Sequence, residues 1–156
     1  MADSPSLPPL PGRDQWPHDL AAEHHHTHDF LARLRALCDA PPGETSCAQC
    51  RPLAESACQR KLAPLMDEVA GFIFMHFINE ERMMKASAYP VREPALHAGH
   101  VEDHANLCEA LFKIITDIDH AAAVVLIRRL EAVLHRLMHE HIPTFDGPFL
   151  KRLSAA

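Results

Sequence analysis

The stretch Met75–His104 reads MHFINEERMMKASAYPVREPALHAGHVEDH. His76 and Glu80 stand four apart in it, and so do His100 and His104. Apolar residues recur at helical spacing around both pairs. Residues four apart lie on one face of a helix, one turn above the other. Each pair can therefore aim two donor atoms at one point between packed helices. Imidazole and carboxylate donors suit a borderline or ferrous ion.

The bulk of the chain sets the frame for this pattern. Its 156 residues suffice for one domain with a substantial core. The formal net charge of −6 argues against nucleic acid or an anionic membrane as the main partner. Thirteen His is an excess that invites a metal reading. No apolar run approaches the ~20 residues needed to span a bilayer. The opening MADSPSLPPLPGRDQ is Pro-rich and lacks an apolar h-region, so no secretory signal is expected. A cytoplasmic protein is the expectation, with the Cys as thiols or metal ligands rather than structural disulfides.

Residues 1–15 read as a flexible or extended arm. A first helix is expected from Trp16-Pro17 to about Ala40, because Pro is tolerated in a first turn. Leu20, His24, His28, Leu31, Leu34 and Cys38 share its stripe. Pro41-Pro42-Gly43 stops it. Residues 41–63 form a long Cys-bearing connection with room for a short helix at 51–61. A second helix is expected over about Pro64–Ala86, with Leu65, Val69, Phe72, Ile73, His76, Glu80 and Met83 on one face. Tyr89-Pro90 and Pro94 bracket a break. A third helix spans about Pro94–Thr116, with Leu96, His100, His104, Leu107, Leu111, Ile114 and Ile115 inward. Asp119 is a candidate N-cap for a fourth helix over about His120–Ile142. That helix carries Val124, Ile127, Leu130, Leu134, Leu137 and His141 and ends at Pro143 and Gly147-Pro148. No β signal competes. The expected fold is an all-α, antiparallel up-down four-helix bundle over residues 16–150, with a short tail at 151–156.

Seven ionisable groups interrupt the inward faces. They are His28 or His24, then His76, Glu80, His100, His104 and His141, with Asp146 just beyond. Buried groups of this kind are costly unless paired or metal-bound, and two adjacent metal ions would satisfy them all. An equal-depth argument favours His28 over His24. His28 lies twelve residues before Ala40 and His76 twelve after Pro64, so both sit ~18 Å from the shared connection. Asp146 is five residues from His141, about 140° out of phase on a straight helix. The two converge only if the helix unwinds, for which Pro143 supplies a cause.

In order along the chain, His76-Phe77-Ile78-Asn79-Glu80-Glu81, Tyr89-Pro90, His100-Val101-Glu102-Asp103-His104 and His141-Ile142-Pro143-Thr144-Phe145-Asp146 resemble motifs of the hemerythrins, bacterial ones in particular. His28-Asp29-Phe30-Leu31 is similar to the HxxL of their first helix. The resemblance implies two Fe ions in an oxo- or hydroxo-bridged di-iron centre. By position, Glu80 and Asp146 would bridge. His100, His104 and His141 would fill one iron, and His28 and His76 would bind the other, leaving one open site for O2. The interval from Glu80 to His100 is longer than the family pattern and brings in His97, which a shifted register would put in place of His100. The connection between the first two helices is also longer.

Other residues have plainer readings. His24, His25 and His26 point in different directions and read as non-ligands. His135 and His139 read as surface groups, Glu81 as a solvated or supporting carboxylate, and Met75, Met83 and Met84 as core fillers. Cys38, Cys47, Cys50 and Cys58 would suit a second metal or a thiol/disulfide switch, against a plainer set of unrelated loop thiols. Cys108 reads as a small buried hydrophobe.

Reversible dioxygen binding, for carriage, storage, delivery or sensing, is the leading expectation. The alternative is a di-iron redox enzyme acting on peroxide (H2O2) or nitric oxide (NO), with the Cys insertion supplying electrons. A ferritin-like or rubrerythrin-like oxidase ranks last, because the inner faces carry no Glu-x-x-His pairs. The oligomeric state is not legible.

Overall fold

The computed structural model describes residues 7–38, 40–41, 43–48 and 54–154. Helix α1 runs Trp16–Arg35 with Pro17 in its first turn, where the missing N–H has no partner to lose. It stops five residues before the expected Ala40. The Ala36 and Leu37 amides fold back onto the carbonyls of Ala32 and Leu34, each at 3.1 Å.

Helix α2 runs Ala54–Ala86, 33 residues with Pro64 inside, so the expected break before Pro64 does not form. An internal Pro costs about 3 kcal/mol. Leu62, Leu65 and Met66 on either side of it are buried, and each contributes roughly 1.5–3 kcal/mol on burial. That packing outweighs the lost bond and carries the helix back to Ala54, through the last ten residues of the connection.

Ala88 ends α2 in the left-handed region at φ 58. The short helix α3 (Tyr89–Arg92) follows, then α4 at its expected bounds, Pro94–Thr116. Leu96, expected inward, is exposed. Helix α5 begins at Ala123, not at His120. Asp117 anchors the intervening turn through its carbonyl, which accepts from the His120 and Ala121 amides, and Asp119 caps nothing.

At Pro143 the chain unwinds without breaking. Helix α5 (Ala123–Arg136) widens into a π-helix over Leu137–Asp146 and passes directly into α6 (Gly147–Ser154). A Pro ring clashes with the carbonyl four residues back in an α-helix, and the i→i+5 pattern removes that contact. The Gly147 amide accordingly donates to the carbonyl of Ile142. The expected stop at Pro143 is replaced by continuous helix, which runs into the expected tail as far as Ser154.

Helix α1 packs on α2, α2 on α4, α4 on α5, and α5 back on α1. This closed ring of four long helices is the expected all-helical bundle. Two apolar clusters fill it. The larger includes Phe30, Leu34, Val69, Ile73, Phe77, Leu107, Leu111 and Leu130. The smaller, at the other end, joins Trp16, Leu20, Met83, Met84, Tyr89 and Phe149. His24 on α1 and Glu80 on α2 fall between these clusters, and His76 lies at the edge of the larger one. Among the described residues no helix is long and apolar enough to cross a membrane.

Residues 7–15 lie along the bundle. The Pro8 carbonyl accepts from Arg82 Nη2 at 2.7 Å, the Pro11 carbonyl accepts from Trp16 Nε1 at 2.9 Å, and Arg13 Nη2 donates to the Ala86 carbonyl at 3.0 Å. Leu10 packs against the smaller cluster.

Candidate metal centre

Six of the seven expected site residues come together. His76, Glu80, His100, His104, His141 and Asp146 are all buried, at 3% exposure or less. Each comes from an inward helical face already committed to the core by its apolar neighbours. Residues 141 and 146 share a face because a π-helix stacks positions five apart. That resolves the phase conflict without a break.

His28 is not among them. It is exposed, with its ring 6.5 Å from that of His25. His24, one turn earlier, takes the inward position, and its Nε2 donates to Asp146 Oδ2 at 2.9 Å. Equal depth does not pick out His28, because α1 ends at Arg35 rather than Ala40 and α2 begins at Ala54 rather than Pro64. His97 sits half-buried against Tyr89, so His100 keeps its place.

The donors fall into two groups, each with its ligand atoms within 4.8 Å of one another: Glu80 with His100, His104 and His141, and His24 with His76 and Asp146. Asp146 faces both. Its Oδ2 lies 2.9 Å from His24 Nε2 and 3.7 Å from His76 Nε2. Its Oδ1 lies 3.1 Å from His100 Nε2 and 2.9 Å from His141 Nε2. Glu80 Oε2 lies 3.8, 3.3 and 3.4 Å from the Nε2 atoms of His76, His100 and His104.

Three further carboxylates hold the rings. His76 Nδ1 donates to Glu23 at 2.6 Å, His104 Nδ1 to Glu81 at 2.9 Å and His141 Nδ1 to Asp103 at 2.8 Å. Committing Nδ1 as a donor fixes the neutral tautomer whose Nε2 lone pair points into the cluster. Sequence reasoning missed Glu23 and Asp103. Their signal is adjacency: Glu23 precedes His24, Asp103 precedes His104, and Glu81 follows Glu80. Asp103 also accepts from Arg136.

The electrostatics are those of a dense buried ion cluster. Burial alone would lower the pKa of His76. The nearby carboxylates of Asp146 and Glu23, with the field of Glu80, overcome this and raise it to about 10. For His100 burial also pulls down, and Asp146 and Glu80 raise it to about 9. Burial and the charge of Asp146 push Glu80 up, but its histidine partners hold it below the ordinary value. Burial likewise opposes ionisation of Asp146, and His100, His141, His24 and His76 together hold it far below the carboxylate range.

The donor set fits metal cations. The Nε2 atoms of His76, His100, His104 and His141, both oxygens of Glu80 and Oδ1 of Asp146 are buried with no hydrogen-bond partner of good geometry. Such atoms are expensive inside a protein, and all of them face one another. A bound cation is what that arrangement would satisfy.

Fold and site together define a helical-bundle metal-binding protein with its donors drawn from four helices. The chain belongs to the hemerythrin HHE cation-binding domain family, whose model matches residues 17–153. Comparison with curated proteins and with solved structures yields no match.

Cys38 and Cys47 are half-buried against the larger apolar cluster. Cys58 is half-buried there too and donates to the Leu37 carbonyl at 3.3 Å. Cys50 lies outside the described residues, and the described cysteines enter neither donor group.

Proposed function

We propose that the chain holds two iron ions and binds dioxygen reversibly. The observation that carries this reading is Asp146, whose two carboxylate oxygens face separate donor groups. One group offers His100, His104 and His141. The other offers His24 and His76, one nitrogen fewer, with Glu80 and Asp146 shared between them. Five imidazoles and two carboxylates suit iron better than a hard cation that prefers all-oxygen ligation. The metal pair would supply electrons to bound dioxygen and take them back on release.

The protein's own part is to orient donors and keep water out. Glu23, Glu81 and Asp103 hold three imidazoles at Nδ1. Phe77 stacks on His104 with ring centres 3.9 Å apart, Phe145 on His100 at 5.3 Å and Phe72 on His76 at 6.2 Å. These rings shield the rim of the cluster, and a dry surround slows loss of charged oxygen species. From His24 to the end of α1, where the Cys-bearing connection starts, the helix rises about 16 Å. The thiols of Cys38, Cys47 and Cys58 therefore stand away from the donors, which favours binding over turnover fed by the connection.

The test is spectroscopic. Anaerobically reduced protein exposed to air should develop visible charge-transfer bands that disappear under argon and return with air. Immediate conversion to the ferric form, or turnover of peroxide or nitric oxide with a thiol donor, would replace carriage with the redox-enzyme reading.

A further inference from the structure

A cavity of about 480 Å³ opens at the end of the bundle, lined by none of the metal-site donors. Three segments enclose it: the turn before α1, the α2–α3 corner and α6. Tyr89 and Phe149 form part of its wall, edge to face with ring centres 5.0 Å apart. Both rings are almost wholly buried, so the wall is rigid and apolar, and Leu153 extends it.

Arg13, Arg92 and Arg152 belong to the same lining. Arg152 pairs with Glu93 at 2.7 Å. Arg13 gives one hydrogen bond to the Ala86 carbonyl and lies over the Trp16 ring, which leaves it other donors. Arg92 has no ion-pair partner among the described residues. Against these three cations the lining sets two carboxylates, Asp14 and Glu93.

We propose that this cavity is a second ligand site, for a small organic monoanion with a flat apolar body. A concave pocket with an apolar wall and a few convergent polar groups is the usual form of a small-molecule site. A guanidinium offers a carboxylate two parallel donors. The surplus of one positive charge suits a single negative charge. The aromatic wall takes the hydrocarbon part, which a bare inorganic anion lacks.

The test uses the full metal-loaded chain and radiolabelled benzoate in equilibrium dialysis, with benzyl alcohol and inorganic phosphate as competitors. Benzoate should bind at one saturable site, and the single tryptophan, Trp16, should change its emission with the same titration. Arg92→Gln should weaken binding about tenfold, the loss of one charge-assisted hydrogen bond. Arg92 is exposed, so that variant folds, and its metal content should be unchanged. Arg129→Gln, on α5 and outside this cavity, should bind as the parent does. No saturable binding up to about 10 mM, an unaffected Arg92→Gln, equal competition by benzyl alcohol, or preference for phosphate would each overturn the proposal.

Discussion

His76 Nδ1 donates to Glu23 Oε2 across 2.6 Å, from α2 to α1. The same relation repeats around the bundle, from His104 on α4 to Glu81 on α2 and from His141 on the π-helix to Asp103 on α4. In each case the carboxylate sits beside a cluster residue in sequence but serves a histidine on a different helix. A one-residue step turns about 100° around a helix, so a residue next to an inward donor faces the neighbouring helix. Supporting hydrogen bonds of this kind are worth about 10–100-fold in metal affinity. Glu23→Gln and Asp103→Asn should each weaken metal binding within that range, measured by competition with a chelator. Glu81 is 43% exposed on its side chain, so Glu81→Gln should fall at the lower end.

His24 and His28 make opposite predictions. His24→Ala should lower iron content and leave the three-histidine group populated. His28→Ala should retain full iron and an unchanged visible spectrum, because that ring is exposed. Metal analysis of the two variants beside the parent decides between them.

Metal loading should release protons. With pKa values raised to about 10 and about 9, His76 and His100 are protonated near neutrality without metal, yet both must be neutral to bind it. About two protons from these residues should appear per chain loaded at pH 7, measured by calorimetry in buffers of different ionisation heat. Apparent affinity should rise with pH up to that range.

The sign for stability without metal follows by linkage. Histidine pKa values raised above the ordinary 6.5 contribute stability that is fully present below 6.5 and lost as pH rises toward 9 and 10. The lowered pKa values of Asp146 and Glu80 contribute stability present above the ordinary carboxylate range and lost on acidification. Metal-free protein should therefore melt highest at about pH 5–6. Metal-loaded protein should hold its melting temperature to higher pH. Equal pH profiles for the two forms would contradict the assignment.

Ala88 holds a left-handed conformation at φ 58, which costs a residue with a Cβ roughly 1–2 kcal/mol. Ala88→Gly relieves it at some expense in unfolded-state entropy. The variant should be more stable by up to about 1 kcal/mol in denaturant unfolding.

Much of this was legible in the sequence because burial and helical period speak through the same residues. On α4 the expected bounds are the observed ones, since Pro94 and the turn after Thr116 punctuate the helix on both sides. Proline misled elsewhere. Pro64 and Pro143 read as boundaries, yet buried Leu62 and Met66 carry α2 through the first, and π-helical widening carries the chain past the second. His24 was lost to His28 because both ends of the connection between α1 and α2 lie away from the prolines that seemed to mark them. Nothing local to either histidine marks which one faces Asp146, because that depends on where a helix stops. The supporting carboxylates were hidden because their partners lie on other helices.

The most direct measurement is Mössbauer spectroscopy of iron-57-loaded protein, together with iron quantitation per chain. Two irons per chain, coupled through a bridge and lost together in Asp146→Ala, is the predicted result. A single iron, two uncoupled irons, or a lone zinc in protein purified without added metal would contradict the claim that Asp146 joins two metal ions.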